Sequence, residues 1–177
     1  MYTYTTFISK RDAERIRFNE FSSSTILISL NSPLNTPGTT EANFVDGVWS
    51  KILRLEFHDA DLHRRSIDHR LETYDPDQIV LFDESQAIEI FQFLKQHQHT
   101  HSQVIVHCEG GVSRSAAVSK FIAQIYGLQF PESYSLYNRH VYTTLLQVYG
   151  RAMYEEGSIT PEDLPGLEYF KHEHTRT

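Results

Sequence analysis

Residues Val104–Ala116, VIVHCEGGVSRSA, put an apolar strand, a cysteine, a glycine-bearing turn and a helix start into one short stretch. A Val-Ile-Val run with no polar interruption suits a buried strand. Ser115–Tyr126 (SAAVSKFIAQIY) has helical character and meets a stop at Gly127. The chain therefore has to bring Cys108 to the C-terminal edge of a strand. It then turns through Glu109-Gly110-Gly111-Val112-Ser113 and enters a helix near Arg114.

The flanking pattern agrees with that unit. Thr25–Leu30 (TILISL) reads as a second buried strand, ended by Asn31-Ser32-Pro33, with a loop over Asn31–Asn43. Ile52–Phe57 (ILRLEF) reads as a third strand, and His58–Leu62 as the loop that leaves it. Ser85–His97 carries Ala87, Ile88, Phe91 and Leu94 at helical spacing, with Asp83 or Ser85 as cap. A last helix is expected over Ser133–Glu155, with a break near Asn138. Strands alternating with helices predict an α/β domain: a central, mainly parallel sheet of four to five strands, flanked by helices. The 177 residues fit one domain, 1–177, with about 165–177 as a flexible tail. The polar stretch Leu62–Gln78, with Arg64, Arg65, His69 and Arg70, reads as a surface insertion or a mobile flap.

Composition narrows the function classes. The formal charge of −7 argues against nucleic-acid and membrane-surface partners, so an anionic substrate has to be held by a local pocket. No apolar run reaches membrane-spanning length, and Met1-Tyr2-Thr3-Tyr4 lacks the features of a signal peptide, so a cytoplasmic location is expected. Cys108 is the single cysteine, which excludes an internal disulfide and a cysteine-built zinc site. Its chemistry is that of a thiol.

The turn after Cys108 suits an anion. Gly110 and Gly111 permit a backbone in which successive N–H groups face inward, and the following helix N-terminus adds a favourable dipole. Arg114, six positions after Cys108, can offer a planar fork to two phosphate oxygens. The same field favours a Cys108 thiolate poised for attack on phosphorus. Ser115 can hydrogen-bond the sulfur and ease its departure, and His107 can fix the loop. The phosphate-binding set is thus Glu109, Gly110, Gly111, Val112, Ser113 and Arg114. A buried structural thiol is the ordinary role of a lone cysteine, but it requires neither the paired glycines nor the arginine.

HCEGGVSRS resembles the His-Cys-x5-Arg-Ser/Thr signature of the protein tyrosine phosphatase superfamily. Its Ser113-Arg114-Ser115 ending is most similar to the dual-specificity branch. A weaker resemblance runs from about Thr25 to about Leu146 through LEFHDAD, SQAIEIFQFL and YNRHVY, and points to small bacterial and phage-type members. The resemblance implies a phosphatase loop at the C-terminal end of a central strand. It also implies metal-free, cofactor-free hydrolysis through a cysteinyl-phosphate, acting on a phosphorylated protein or peptide.

It further implies an aspartic general acid on the loop after the strand that precedes the central helix. That loop offers Asp59 first and Asp61 second. Asp59 lies 49 positions before Cys108 (108 − 59), a longer separation than is usual in the superfamily, so Asp75 or Asp77 on the polar stretch remains a competing acid. His58 can orient the acid, although a surface histidine is the plainer reading. Asn138 is either a loop anchor or a helix-surface residue. His97, His99 and His101 suit a solvated connector better than a metal site. Two alternatives stand beside a protein phosphatase. One is a phospho-binding module without a working acid; the other is a phosphatase for non-protein phosphate esters, which the acidic Glu109 disfavours.

Overall fold

The computed structural model describes residues 1–17, 23–36, 38–62, 66, 67, 76–155 and 157. Its centre is a four-stranded sheet built from β1 (Tyr4–Ser9), β2 (Thr25–Asn31), β3 (Lys51–Glu56) and β6 (Gln103–Cys108). The spatial order is β1-β6-β2-β3, and every pairing is parallel. Parallel strands need crossovers; α1 (Lys10–Arg15) lies on the one from β1 to β2 and α2 (Glu84–His97) on the one from β3 to β6, while α3 (Arg114–Tyr126) and α4 (Arg139–Glu155) follow the last strand. A small antiparallel pair, β4 (Ala60–Asp61) with β5 (Ser66–Ile67), leaves the end of β3. Asp77 is exposed and sits in a 3-10 turn, Pro76–Gln78, ahead of α2.

Burial follows from the alternation along the strands. Ile26, Ile28, Leu30, Val104 and Val106 face the helical side and pack with Ile90 and Leu94 of α2, Phe121 and Ile122 of α3, and Leu145 of α4. Leu27 and Ile105 face the other side and meet Ile16, Val48 and Trp49. All seven residues of β2 are buried, as expected for a strand covered on both faces.

Local signals set the helix ends. Asp83 caps α2 in a reciprocal capping box with Gln86, which selects it over Ser85. Gly127, at φ 63°, closes α3 in the left-handed region. The last helix begins at Arg139, and 133–138 is not helical. There Asn138 acts as the cap, its Oδ1 accepting from Val141 N at 3.0 Å. Strand β1 lies outside the elements read from the sequence. No helix among the described residues is long and apolar enough to cross a membrane. The expected tail, Asp75, and the cluster Arg64, Arg65 and Arg70 lie outside the described residues.

Candidate active site

Strand β6 ends at Cys108, between two parallel neighbours that end beside it. Ser9 of β1 is level with Cys108, and Ser29 of β2 is level with His107. Residues 109–113 then turn, and α3 begins at Arg114. The turn presses against β1. Gly111 has φ 65°, and a Cβ there falls 2.4 Å from Ser9 N and 2.5 Å from Ile8 C. No side chain fits that space. Gly110 differs: its φ is ordinary, and nothing lies within 4 Å of its would-be Cβ.

Three carbonyls of the turn, those of Glu109, Val112 and Ser113, are held by neighbouring elements. Glu109 O accepts from Lys10 N at 3.3 Å, and Val112 O accepts from the Tyr134 hydroxyl at 2.8 Å. Ser113 O accepts from Ala117 N and Asn138 N, each at 3.1 Å. No peptide bond among the described residues is cis, and in a trans peptide the C=O and N–H point in opposite directions. The N–H groups of Gly110, Ser113 and Arg114 are therefore aimed away from these outer braces. None of the three meets an acceptor among the described residues. Ser113 is the N-cap of α3, yet its side chain makes no capping hydrogen bond and donates instead to Asp59 Oδ1, so the first N–H groups of the helix lack a serine cap.

Cys108, Ser115, Arg114, Ser113 and Asp59 come together here. Cys108 Sγ lies 3.1 Å from Ser115 Oγ, and both residues are buried. Arg114 is 1% exposed, and its Nη1 donates to Phe57 O at 2.6 Å, just past the end of β3. The guanidinium therefore reaches toward β3, and its Cζ lies 5.7 Å from the Phe57 ring centroid. Its Nε is buried without a hydrogen-bond partner among the described residues; the nearest anion, Asp59 Oδ2, is 3.9 Å away. A buried guanidinium with an unpaired edge is costly unless an anion completes it.

Asp59 is bound to the same loop. Its Oδ1 accepts from Ser113 Oγ at 2.8 Å and from Asn138 Nδ2 at 3.0 Å, and its side chain is 24% exposed. Asp61 is differently placed: its Oδ2 accepts from Arg139 N at 2.8 Å, at the start of α4. That carboxylate anchors a helix end. Asn138 is buried; besides bonding Asp59 and capping α4, it donates to Ala60 O at 3.1 Å, which makes it a loop anchor.

His58 corrects the expectation of a surface histidine. It is 1% exposed, its Nδ1 accepts from Val80 N at 2.9 Å, and its Nε2 is 2.8 Å from Thr36 Oγ1. The first bond leaves Nε2–H to donate to the threonine. His107 is also buried, with Nε2 2.7 Å from Ser29 Oγ; burial above all pushes it down to about 4, so the ring is neutral.

Two residues of this neighbourhood escaped the sequence reading. Lys10 is buried and bonds Thr40 Oγ1 at 2.7 Å, with Glu109 Oε2 at 3.9 Å. A cation absent from the turn itself is thus supplied from the start of α1, just past the end of β1, beside the acidic Glu109. Tyr134 is raised by burial and then by the neighbouring Cys108 charge. Its ring packs on Phe7 at 5.0 Å and Phe130 at 6.0 Å. The signal for Lys10 was the in-register pairing of β1 with β6, a non-local fact; Tyr134 had no local signal. No protein-family model, curated protein or solved structure matches the chain.

Proposed function

We propose that this chain is a metal-independent, cysteine-dependent phosphatase of the tyrosine/dual-specificity type. It hydrolyses phosphotyrosine, and shorter phosphoserine or phosphothreonine esters, in proteins or peptides through a cysteinyl-phosphate. Residues 108–115 form its phosphatase loop. The observation that carries the reading is the placement of Cys108 and the unpaired Nε edge of Arg114 around a turn with outward-braced carbonyls. Such a turn offers N–H donors and a cation to a tetrahedral oxyanion.

In the first step Cys108 Sγ attacks phosphorus while the bond from phosphorus to the leaving oxygen breaks. Asp59 delivers a proton to that oxygen. Ser113 and Asn138 both bind Oδ1, which leaves Oδ2 as the atom that carries the proton. In the second step water attacks the phosphoryl group, Asp59 takes its proton, and the P–S bond breaks. The Ser115 hydroxyl, 3.1 Å from Sγ, stabilises the departing thiolate. Arg114 and the loop N–H groups hold the equatorial oxygens through both steps.

The test is hydrolysis of a small aryl phosphate in EDTA by wild type and by Cys108→Ser. Turnover in wild type and none in the variant is expected. Turnover that needs an added divalent metal, or that survives in Cys108→Ser, contradicts the proposal.

A further inference from the structure

We propose that Tyr134 is a positioning residue for anion binding: its hydroxyl, by holding Val112 O, keeps the Ser113 N–H turned into the loop. Tyr134 belongs to none of the residues read from the sequence as part of the site, and it acts through the backbone. The inference rests on the phosphatase reading and deepens it.

A peptide plane in a tight turn can flip by rotation about two bonds, exchanging the directions of its C=O and N–H. In this turn each bonded carbonyl has its own brace. Glu109 O is held by a backbone N–H, and Ser113 O by two. Among the described residues the 112–113 plane has only a side chain as brace, the Tyr134 hydroxyl, at 2.8 Å. Val112 itself is 43% exposed, so its side chain contributes little anchoring. Tyr134 is steadied in turn by Phe7, whose strand neighbour is Val106, and by Phe130. The rings carry the position of β1 and of the 128–138 segment to one carbonyl of the turn. Losing the hydroxyl frees the plane, and the site then has to order it on each binding event.

Tyr134→Phe removes the oxygen and keeps the ring. Tyr137→Phe is the matched control: it also loses a hydroxyl from the same segment, but its ring packs on Tyr142 and lies under Lys120. The probe is inorganic phosphate, read as protection of Cys108 from alkylation by iodoacetamide on the full chain, a measurement that needs no turnover. Wild type and Tyr137→Phe should be half-protected at the same phosphate concentration. Tyr134→Phe should need about two- to twelvefold more, the range set by one lost hydrogen bond, with its melting temperature close to wild type. Equal protection of wild type and Tyr134→Phe overturns the inference and leaves the phosphatase reading intact. If phosphate fails to protect even wild type, both fall together.

Discussion

Replacing Gly111 by alanine should damage this protein far more than the same change at its neighbour Gly110. At Gly111 the backbone has φ 65°, which costs a residue with a side chain about 1–2 kcal/mol. The added methyl also meets Ser9 N at 2.4 Å and Ile8 C at 2.5 Å, both backbone atoms of the strand paired to β6. Ordinary contact needs a further ångström or so, so β1 must move or the turn must open, at about 1–3 kcal/mol. The expected loss is about 2–5 kcal/mol, or roughly 4–20 °C in melting temperature for a domain of this size. At Gly110 no such contact exists and φ is ordinary, so alanine there should be neutral or slightly stabilising. Urea unfolding followed by far-UV circular dichroism measures both, and aryl phosphate turnover of whatever remains folded reports the loop. Gly111→Ala as stable as wild type, or Gly110→Ala the worse of the two, refutes the close approach of the turn to β1.

Two further outcomes follow from the site. Asp59→Asn keeps an oxygen for Ser113 and Asn138. It should slow hydrolysis of a phenyl-type ester with a poor leaving group by about 10²–10⁴-fold while sparing an activated ester; a uniform loss across leaving groups moves the acid to another residue. His107 is held neutral by burial, near 4 against an ordinary 6.5, so the unfolded chain binds the extra proton between those values. Stability should therefore fall as pH drops from about 6.5 toward about 4, by up to about 3 kcal/mol. Subtracting the pH profile of His107→Gln isolates this component, and identical slopes for the two proteins contradict it.

The sequence spoke clearly where local chemistry and periodicity coincide. TILISL, the Val104 run, the α2 capping signal at Asp83 and the Gly127 stop all match the described elements within a residue or two. β1 was missed because YTTFIS shows little burial of its own; pairing to β6, 99 positions away (103 − 4), makes it a strand. Of the helix expected over Ser133–Glu155 with a break near Asn138, the break and the part after it are present, but 133–138 is not helical: Asn138 is drawn off to Asp59 and Ala60 and caps α4. The cap signal was legible; the tertiary partners were not. The different surroundings of Asp59 and Asp61 likewise depend on where α4 begins, since the N-terminus of that helix takes Asp61 and leaves Asp59 beside Arg114. His58 was misread for the same reason: the loop residue Thr36 and the backbone of Val80, both distant in sequence, make it a buried tie.

The most direct test is to catch the phosphoryl group on sulfur. Wild-type protein mixed with a rapidly hydrolysed aryl phosphate in EDTA, quenched by denaturation within milliseconds and digested, should yield the Cys108 peptide carrying one phosphoryl group. The signal should rise with substrate, persist longer when the second step is slowed by Ser115→Ala, and vanish in Cys108→Ser. Product release with the label on any other residue, or with Cys108 unmodified at every quench time in both wild type and Ser115→Ala, contradicts the account.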